Sequence, residues 1–213
     1  VLISELEKIN KQFPTPRRTS IVYEDELPEL AEEEEPDTDP VTVFLSKEGY
    51  FKKITPQSLR MSSEQKYKEG DSLRRSLDSA NNHELLIFTD RQQVYRLKLS
   101  DVEPTKASVL GSFLPSELKM DEGETVLDMV DPGDYRGTLV LAFANGKLAH
   151  IPLEAYRTKT NRKKLLNAYS DKSPLVGLVH LTDAADLFLS VNDGRGLVVN
   201  SSLLTTKTTR NTQ

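Results

Sequence analysis

A chain of 213 residues with 37% hydrophobic and 29% charged residues is long enough for one large folded domain with a leader, and it lacks any membrane-spanning apolar run. The absence of cysteine excludes disulfides and thiolate metal sites. The formal net charge of −5 is unevenly distributed, because ten of the 33 acidic residues and no basic residue lie between residues 24 and 39. The remainder has more basic than acidic residues, which predicts a mildly basic domain beside an acidic segment.

The chain begins with a segment of helical periodicity. Leu2, Leu6 and Ile9 share one face of a helix over residues 2–13, and Pro14 ends it. The acidic, proline-containing stretch that follows is predicted to be a linker. The sequence therefore divides into three parts: a helix end with an extended exit segment at 1–22, an acidic linker at 23–40, and a β domain at 41–213.

From residue 41 onward, one β-hairpin pattern occurs four times. In the first copy, Val41, Val43 and Leu45 have strand periodicity, Gly49 marks the turn, and residues 50–54 return as a second strand. The other copies cover residues 85–97, 138–151 and 187–199, with turns marked by Gln92, Gly146 and Gly194. A hairpin about every 50 residues is typical of a bladed β array.

Further segments complete the predicted blades. Residues 124–131 and 174–183 precede the third and fourth hairpins and are expected to belong to the blades of those hairpins. Residues 139–143 are apolar on both faces, which predicts sheets stacked between neighbouring sheets. Three polar, basic stretches that follow the hairpins are predicted to be outer strands and perimeter loops: residues 55–70, 98–106 and 156–164.

The sequence around the first hairpin resembles the C-terminal domain of the A subunit of bacterial type IIA DNA topoisomerases, DNA gyrase and topoisomerase IV. The resemblance is carried by EGYFKKI at 48–54 with the loop after it, by the leader through Arg17–Ile21, and by later repeat cores at 143–148 and 190–199. It implies an all-β fold: a β-pinwheel or propeller-like array of four-stranded blades, preceded by a short helix and an acidic linker. Four repeats imply a partial or short form of that domain.

One loop departs from the gyrase pattern. Gyrases carry Gln-Arg-Arg-Gly-Gly-Lys-Gly in the first blade, and the matching residues 65–71 here read QKYKEGD. Glu69 and Asp71 place negative charge where the family has glycine. We therefore expect this domain to bind and bend DNA but to hold a wrapped turn weakly.

The resemblance implies sequence-independent binding of double-stranded DNA on a basic rim, formed by the outer edges of the blades. The candidate DNA-binding residues are the bases in and after the first three hairpins: Lys52, Lys53, Arg60, Lys66, Lys68, Arg74, Arg75, Arg96, Lys98, Arg157, Lys159, Arg162, Lys163 and Lys164. Each phosphate that such a base neutralises releases counterions, which gives affinity without base contacts.

The resemblance also sets expectations about the whole enzyme. The domain would assist ATP-dependent strand passage by a bacterial holoenzyme, an isomerase, together with the topoisomerase B subunit, which carries ATP and magnesium. No catalytic residue, metal site or cofactor is expected in this chain, because the DNA-cleaving tyrosine of the family lies in an upstream domain. A cytoplasmic, nucleoid-associated location without membrane contact is expected, and the piece alone is expected to be monomeric.

Two other functional classes compete with this interpretation. A β-propeller protein-interaction module with no DNA role would expose an apolar or aromatic patch, against which the 7% aromatic content argues. A hydrolytic propeller enzyme would need convergent acids or a metal cluster, but His83, His150 and His180 lack ligand spacing. Gyrase versus topoisomerase IV activity, the direction of supercoiling and the number of blades in the full protein stay open.

Overall fold

The computed structural model describes residues 2–13, 37–158 and 162–213, and the chain divides into two compact units, Val1–Glu34 and Glu35–Gln213. Most of the predicted acidic linker lies outside the described residues. In the first unit, α1 spans Leu2–Gln12 within the stretch predicted to be helical. Among the described residues, no helix combines the length and apolar character that crossing a bilayer requires.

The described part of the second unit consists of antiparallel β-strands with short connections. In chain order, the strands are β1 (Pro40–Ser46), β2 (Tyr50–Ile54), β3 (Leu73–Ala80), β4 (Glu84–Thr89), β5 (Val94–Lys98), β6 (Ser112–Phe113), β7 (Val126–Val130), β8 (Thr138–Phe143), β9 (Leu148–Pro152), β10 (Lys164–Leu165), β11 (Leu175–Leu181), β12 (Asp186–Ser190) and β13 (Gly196–Asn200). The helical connections are α2 (Pro56–Met61), α3 (Leu114–Glu117) and 3-10 turns at Leu99–Asp101, Leu153–Tyr156 and Ser201–Leu203. The all-β class and the four hairpins are confirmed.

Each hairpin turn contains a residue with left-handed backbone conformation at the position marked from the sequence. The angle φ is +90° at Gly49, +55° at Gln92, +78° at Gly146 and +84° at Gly194. Gln92 lacks the conformational freedom of glycine, and its backbone is held from outside the hairpin. Its N–H donates to the hydroxyl of Tyr169 (3.3 Å), and its carbonyl accepts from the N–H of residue 168 (2.8 Å).

For each of the first three hairpins, one strand located between it and the next hairpin pairs with its first strand. β3 pairs with β1, β7 pairs with β4, and β11 pairs with β8. The prediction that segments 124–131 and 174–183 belong to the hairpins after them is therefore wrong. A strand shows the same alternation of side chains whichever neighbour it joins, so the sequence pattern did not identify the partner.

The second strand of each of these three hairpins pairs with chain that comes after the next hairpin. β6 pairs with β2 and β10 pairs with β5, which gives the strand orders β3-β1-β2-β6 and β10-β5-β4-β7. The third sheet has the order β11-β8-β9, and Thr206 forms a bridge with His150 on β9. Successive sheets therefore exchange strands, whereas the fourth sheet contains only β12 and β13 within the described residues.

The first three sheets stack on apolar side chains from both faces of the hairpins. Phe51 of the first sheet shares one buried cluster with Ile87 of the second, and Phe88 on the other face shares another with Leu141 of the third. β8 is mostly buried, in agreement with its apolar faces. The hairpin β12–β13 is different, because Phe188 remains 71% exposed.

The two sides of each sheet have different neighbours. β7 contacts both β3 and β11, so these three strands converge on an inner side. The opposite side carries residues 105–113, which include β6 and run beside β2, and residues 162–168, which include β10 and run beside β5. We call these two segments, together with Lys66 and Lys98 beside them on the same sheets, the outer edge. Gly111 is required there, since φ is +87° and a Cβ would lie 2.2 Å from the carbonyl oxygen of Phe51.

Candidate nucleic-acid interface

Three basic side chains at equivalent positions, one in each of the first three sheets, contact the chain that follows the next hairpin. Lys53, Arg96 and His150 are each the fourth residue after the left-handed turn residue. Lys53 Nζ donates to the carbonyl oxygen of Leu99 (2.6 Å), and Arg96 Nη1 donates to Thr158 Oγ1 (2.6 Å). His150 Nδ1 lies 3.3 Å from a carbonyl oxygen at residue 204. These bases therefore connect neighbouring sheets.

The assignment of Lys52 and Lys53 to a basic rim is contradicted by the structure. The two residues are only 2% and 3% exposed, and desolvation lowers the pKa of both side chains. Lys52 Nζ donates to Gln65 Oε1 (3.2 Å) and to the carbonyl oxygens of Lys66 (2.8 Å) and Ala107 (3.0 Å). Since an ammonium has three protons to donate, this set of bonds leaves none for a phosphate.

Two arginines predicted to bind DNA are also engaged inside the protein. Arg75 on β3 forms a two-bond ion pair with Asp128 on β7. Arg96 forms an ion pair with Glu84 across the second hairpin at 2.5 Å. Arg74 is exposed, but it lies on β3 and hence on the inner side of the first sheet. These three positions do not contribute to a basic outer edge.

Three further candidates lie at or near the surface with carboxylate partners. Lys68 pairs with Glu48 at 3.0 Å, Arg157 with Glu154 at 3.3 Å, and Lys164 with Asp121 at 3.0 Å. The hydrogen bond from Lys68 to Glu48 raises the pKa of Lys68, so its ammonium stays charged at neutral pH. Because exposed ion pairs are weak, a phosphate could replace these carboxylates. Lys159 lies outside the described residues.

Five exposed bases of the outer edge have no partner among the described residues: Lys66, Lys98, Lys106, Arg162 and Lys163. Lys66 N–H donates to the carbonyl oxygen of Ala107 (2.9 Å), which places Lys66 next to Lys106 on the first sheet. On the second sheet, the N–H of the Arg96 backbone donates to the carbonyl oxygen of Lys163 (2.9 Å). This bond places Lys163, and Arg162 before it, beside β5, which ends at Lys98.

Lys106 was not among the DNA-binding candidates predicted from the sequence, whereas Arg60 was. Lys106 follows a different hairpin from Lys66, so no local pattern connects them; only strand exchange makes them neighbours. Arg60 is exposed on the last turn of α2, directly after β2. Recognising β6 as a strand that pairs with β2 would have pointed to Lys106. The two residues of β6 are too few to show strand periodicity, so the sequence did not reveal this strand.

The loop at residues 65–71 has one structural acid and one free acid. Asp71 Oδ1 accepts the backbone N–H groups of Glu48 (3.0 Å) and Ser72 (2.8 Å). Burial acts to raise the pKa of Asp71, but hydrogen bonds from Ser46 and from these N–H groups hold it below its usual value. Glu69 is exposed and has no partner among the described residues.

Buried and half-buried acids elsewhere in the domain are bonded within the protein. Glu124 accepts from the hydroxyls of Thr89 and Tyr95, and the Tyr95 contact is 2.9 Å. Asp131 lies 2.9 Å from the imidazole of His83. Among the described residues, no group of three or more acids and histidines is placed to hold a metal ion.

No protein-family model matches the chain. The chain is 24% identical over 203 residues to the DNA gyrase A subunit of Mycoplasma pneumoniae, an alignment that covers 89% of this chain and 24% of that protein. It is 23% identical over 207 residues to the DNA topoisomerase 4 A subunit of Staphylococcus epidermidis, with 95% of this chain and 26% of that protein covered. The chain thus spans about a quarter of the length of these relatives.

Among solved structures, the crystal structure of the C-terminal domain of DNA topoisomerase IV matches with a TM-score of 0.69 and 20% identity, covering 82% of this chain and 56% of that one. The stacked sheets with exchanged strands define the second unit as a β-pinwheel domain. The homologues of the chain are the A subunits of DNA gyrase and DNA topoisomerase IV, and its fold is that of their C-terminal domains.

Proposed function

We propose that this domain binds double-stranded DNA along its outer edge, without sequence preference, and bends it. The observation that carries the proposal is the presence of exposed bases, unpartnered among the described residues, on the outer edges of two successive sheets: Lys66 and Lys106 on the first, and Lys98, Arg162 and Lys163 on the second. Cations at such positions neutralise backbone phosphates and release counterions, which favours binding to any sequence.

The curvature of the proposed DNA path follows from how the sheets are arranged. Because the inner strands of successive sheets converge, we infer that the outer edges diverge and present their bases along an arc. A duplex that follows this arc is bent, at a cost of roughly 1–6 kcal/mol for 20–30 base pairs. Phosphate contacts on both sheets must offset that cost, so the sites on both sheets are needed for bending.

In the whole protein, we propose that the domain is part of a type IIA topoisomerase A subunit. This role rests on its homologues, which are named as gyrase and topoisomerase 4 A subunits. The B subunit would bind ATP and magnesium, and the holoenzyme would pass one duplex through another. The domain would guide the passing segment in the cytoplasm, on the nucleoid, and would itself supply no catalytic group.

Titrations of a fluorescent 40-base-pair duplex with the chain, over a series of salt concentrations, test the binding proposal. We expect the logarithm of the association constant to fall linearly with the logarithm of salt, by about 0.9 for each phosphate contacted. Ligation of short duplexes into circles, with and without protein, tests bending, and more circles are expected with protein. Affinity that does not depend on salt, or an absence of binding at low salt, would reject the proposal.

The alternative function, a protein-interaction module with no DNA role, has one observation in its favour. The hairpin β12–β13 exposes large apolar residues, with Phe188 71% and Val198 62% accessible. Such a surface suits contact with protein better than contact with phosphates. The same titrations separate the two functions, because substitution of Phe188 by Ser leaves the salt dependence unchanged if DNA follows the outer edge.

A further inference from the structure

Lys52 connects two segments that are far apart in sequence. Its ammonium donates to Gln65 Oε1 and to the carbonyl oxygen of Lys66 on the loop after α2, and to the carbonyl oxygen of Ala107 on the outer edge. It also lies 5.4 Å from the ring centroid of Tyr67. One buried cation therefore holds the loop and the outer edge together.

The first sheet alone has this arrangement among the three stacked sheets, within the described residues. Lys52 is the third residue after its left-handed turn residue, and the equivalent positions are Tyr95 and Ala149. Tyr95 bonds through its hydroxyl to Gln93 and to a buried carboxylate, and Ala149 has no polar side-chain atom. The neighbouring Lys53, on the other face of the same strand, bonds to the chain around Leu99 instead.

Both segments that Lys52 connects carry an exposed lysine next to the point of connection. The Lys66 carbonyl oxygen accepts directly from Lys52, and Lys106 precedes the acceptor at residue 107. The ammonium groups of Lys66 and Lys106 have no partner among the described residues. The two segments also share a backbone hydrogen bond of their own, from Lys66 N–H to the residue 107 carbonyl oxygen (2.9 Å).

We propose that Lys66 and Lys106 form one phosphate-binding site at the outer edge of the first sheet and that Lys52 is its positioning residue. The inference rests on the proposed DNA-binding function. Lys52 supplies donors to both carbonyl oxygens, and its charge strengthens those bonds. Without it, the backbone hydrogen bond is left to hold the loop against the edge, and the two exposed ammonium groups move independently. Two lysines whose backbones are held side by side neutralise a phosphate better than two lysines on independent segments, because the cost of bringing the segments together is met during folding.

The decisive experiment is a cycle of variants in the 213-residue chain, assayed by titration of a 40-base-pair duplex across salt. The variants are Lys52→Met, the double variant Lys66→Gln/Lys106→Gln, and the triple variant that combines them. We expect the double variant, which removes this one phosphate contact, to reduce the magnitude of the salt slope by about 0.9, and Lys52→Met alone to reduce it by part of that amount. The triple variant should match the double variant, since Lys52 acts through the two exposed lysines.

Lys53→Met is the matched control, because Lys53 is equally buried and adjacent but bonds to a different part of the chain. It should lower the thermal unfolding temperature without changing the salt slope. A slope for Lys52→Met equal to that of the unsubstituted chain would overturn the inference. So would a triple variant whose slope falls clearly below that of the double variant. If the unsubstituted chain itself shows no salt-dependent binding, the proposed function fails first.

A second variant covers the case in which Lys52→Met does not fold. Gln65→Ala removes one acceptor of the Lys52 ammonium from a loop residue that is partly exposed, so the core stays intact. It should reduce the salt slope in the same direction by a smaller amount, with a far-ultraviolet circular dichroism spectrum like that of the unsubstituted chain. An unchanged slope for a folded Gln65→Ala chain would also count against the inference.

Discussion

The basic residues of the inner strands and hairpins contrast with those of the outer edge. Arg75 and Lys53 use their charges on carboxylate, amide and carbonyl oxygens inside the protein, and they join one sheet to the next. Lys106 and Lys163 extend from exchanged segments into solvent. The same residue types therefore serve cohesion in one region and, we propose, DNA binding in the other.

The contrast shows that counting basic residues overestimates a DNA-binding surface. A buried cation loses its hydrogen bonds to water and must form hydrogen bonds to protein oxygens instead, so it is not available to a phosphate. An exposed lysine keeps its hydration until a phosphate replaces it. Substitutions in the two regions should therefore separate into loss of stability and loss of DNA affinity.

The largest effect is expected from neutralising four lysines of the outer edge together: Lys66→Gln, Lys98→Gln, Lys106→Gln and Lys163→Gln. Because Lys66 and Lys106 are proposed to share one phosphate, loss of three phosphate contacts should reduce the magnitude of the salt slope by about 2.7 and leave thermal unfolding unchanged. Duplex titrations and a melting curve measure both. The matched control neutralises four exposed lysines away from this edge: Lys47, Lys119, Lys147 and Lys172. Equal losses in the two variants would show that net charge, and not the outer edge, determines binding.

The second effect is on stability and concerns the inner side. Asp128→Ala leaves Arg75 without its carboxylate and should reduce the free energy of unfolding by roughly 2–3 kcal/mol, below the 3–5 kcal/mol of a fully buried pair. The reduction is smaller because the Arg75 side chain remains 32% exposed. Urea unfolding measures the change, and the salt slope of DNA binding should stay the same.

Asp134→Ala is the control for this variant, since its ion pair with Arg136 is on the surface, with side chains 61% and 86% exposed. No measurable change in unfolding is expected for it. If Asp128→Ala also leaves the free energy of unfolding unchanged, the ion pair between β3 and β7 does not hold the sheets together.

The third prediction concerns the pH dependence that Asp71 contributes. Its pKa is lower in the folded chain than in the unfolded chain, so its carboxylate stabilises the fold above the unfolded value of about 4. That contribution is lost as the pH falls through the folded pKa. Asp71→Asn should cost about 1 kcal/mol at pH 7 and flatten the acid limb of a stability-against-pH curve. A variant with the same acid limb as the unsubstituted chain would exclude Asp71 as a source of it.

The smallest effect is expected at Glu69, the free acid of the 65–71 loop. Glu69→Gln removes a negative charge close to Lys66 and should tighten duplex binding by roughly twofold at low salt, with less gain at high salt because the repulsion is screened. It should also increase the yield of ligated circles slightly. Glu117→Gln, an exposed acid on α3, is the comparison variant. Equal gains from both would remove the loop as a determinant of DNA curvature.

Local pattern was enough to predict the hairpins and their turns. Strand periodicity gave β1, β2, β8 and β9 nearly to the residue, and the marked turn positions all have left-handed backbone. The reason is that alternation and turn chemistry act between residues close in the chain. The prediction for residues 65–71 treated both acids alike, whereas Glu69 has no partner among the described residues and Asp71 accepts two backbone hydrogen bonds.

Only the tertiary structure decided which strands pair and which charged side chains are buried or exposed. β6 and β10 are two residues long, and their partners lie across an intervening hairpin, so no window of sequence contains the contact. From the sequence, Lys52 was predicted to be a surface lysine, because its acceptors at residues 65, 66 and 107 come together only after strand exchange. The sequence by itself determined a repeated all-β chain with a basic β domain. The exchange of strands determined which bases face solvent, because burial depends on neighbours that are distant along the chain.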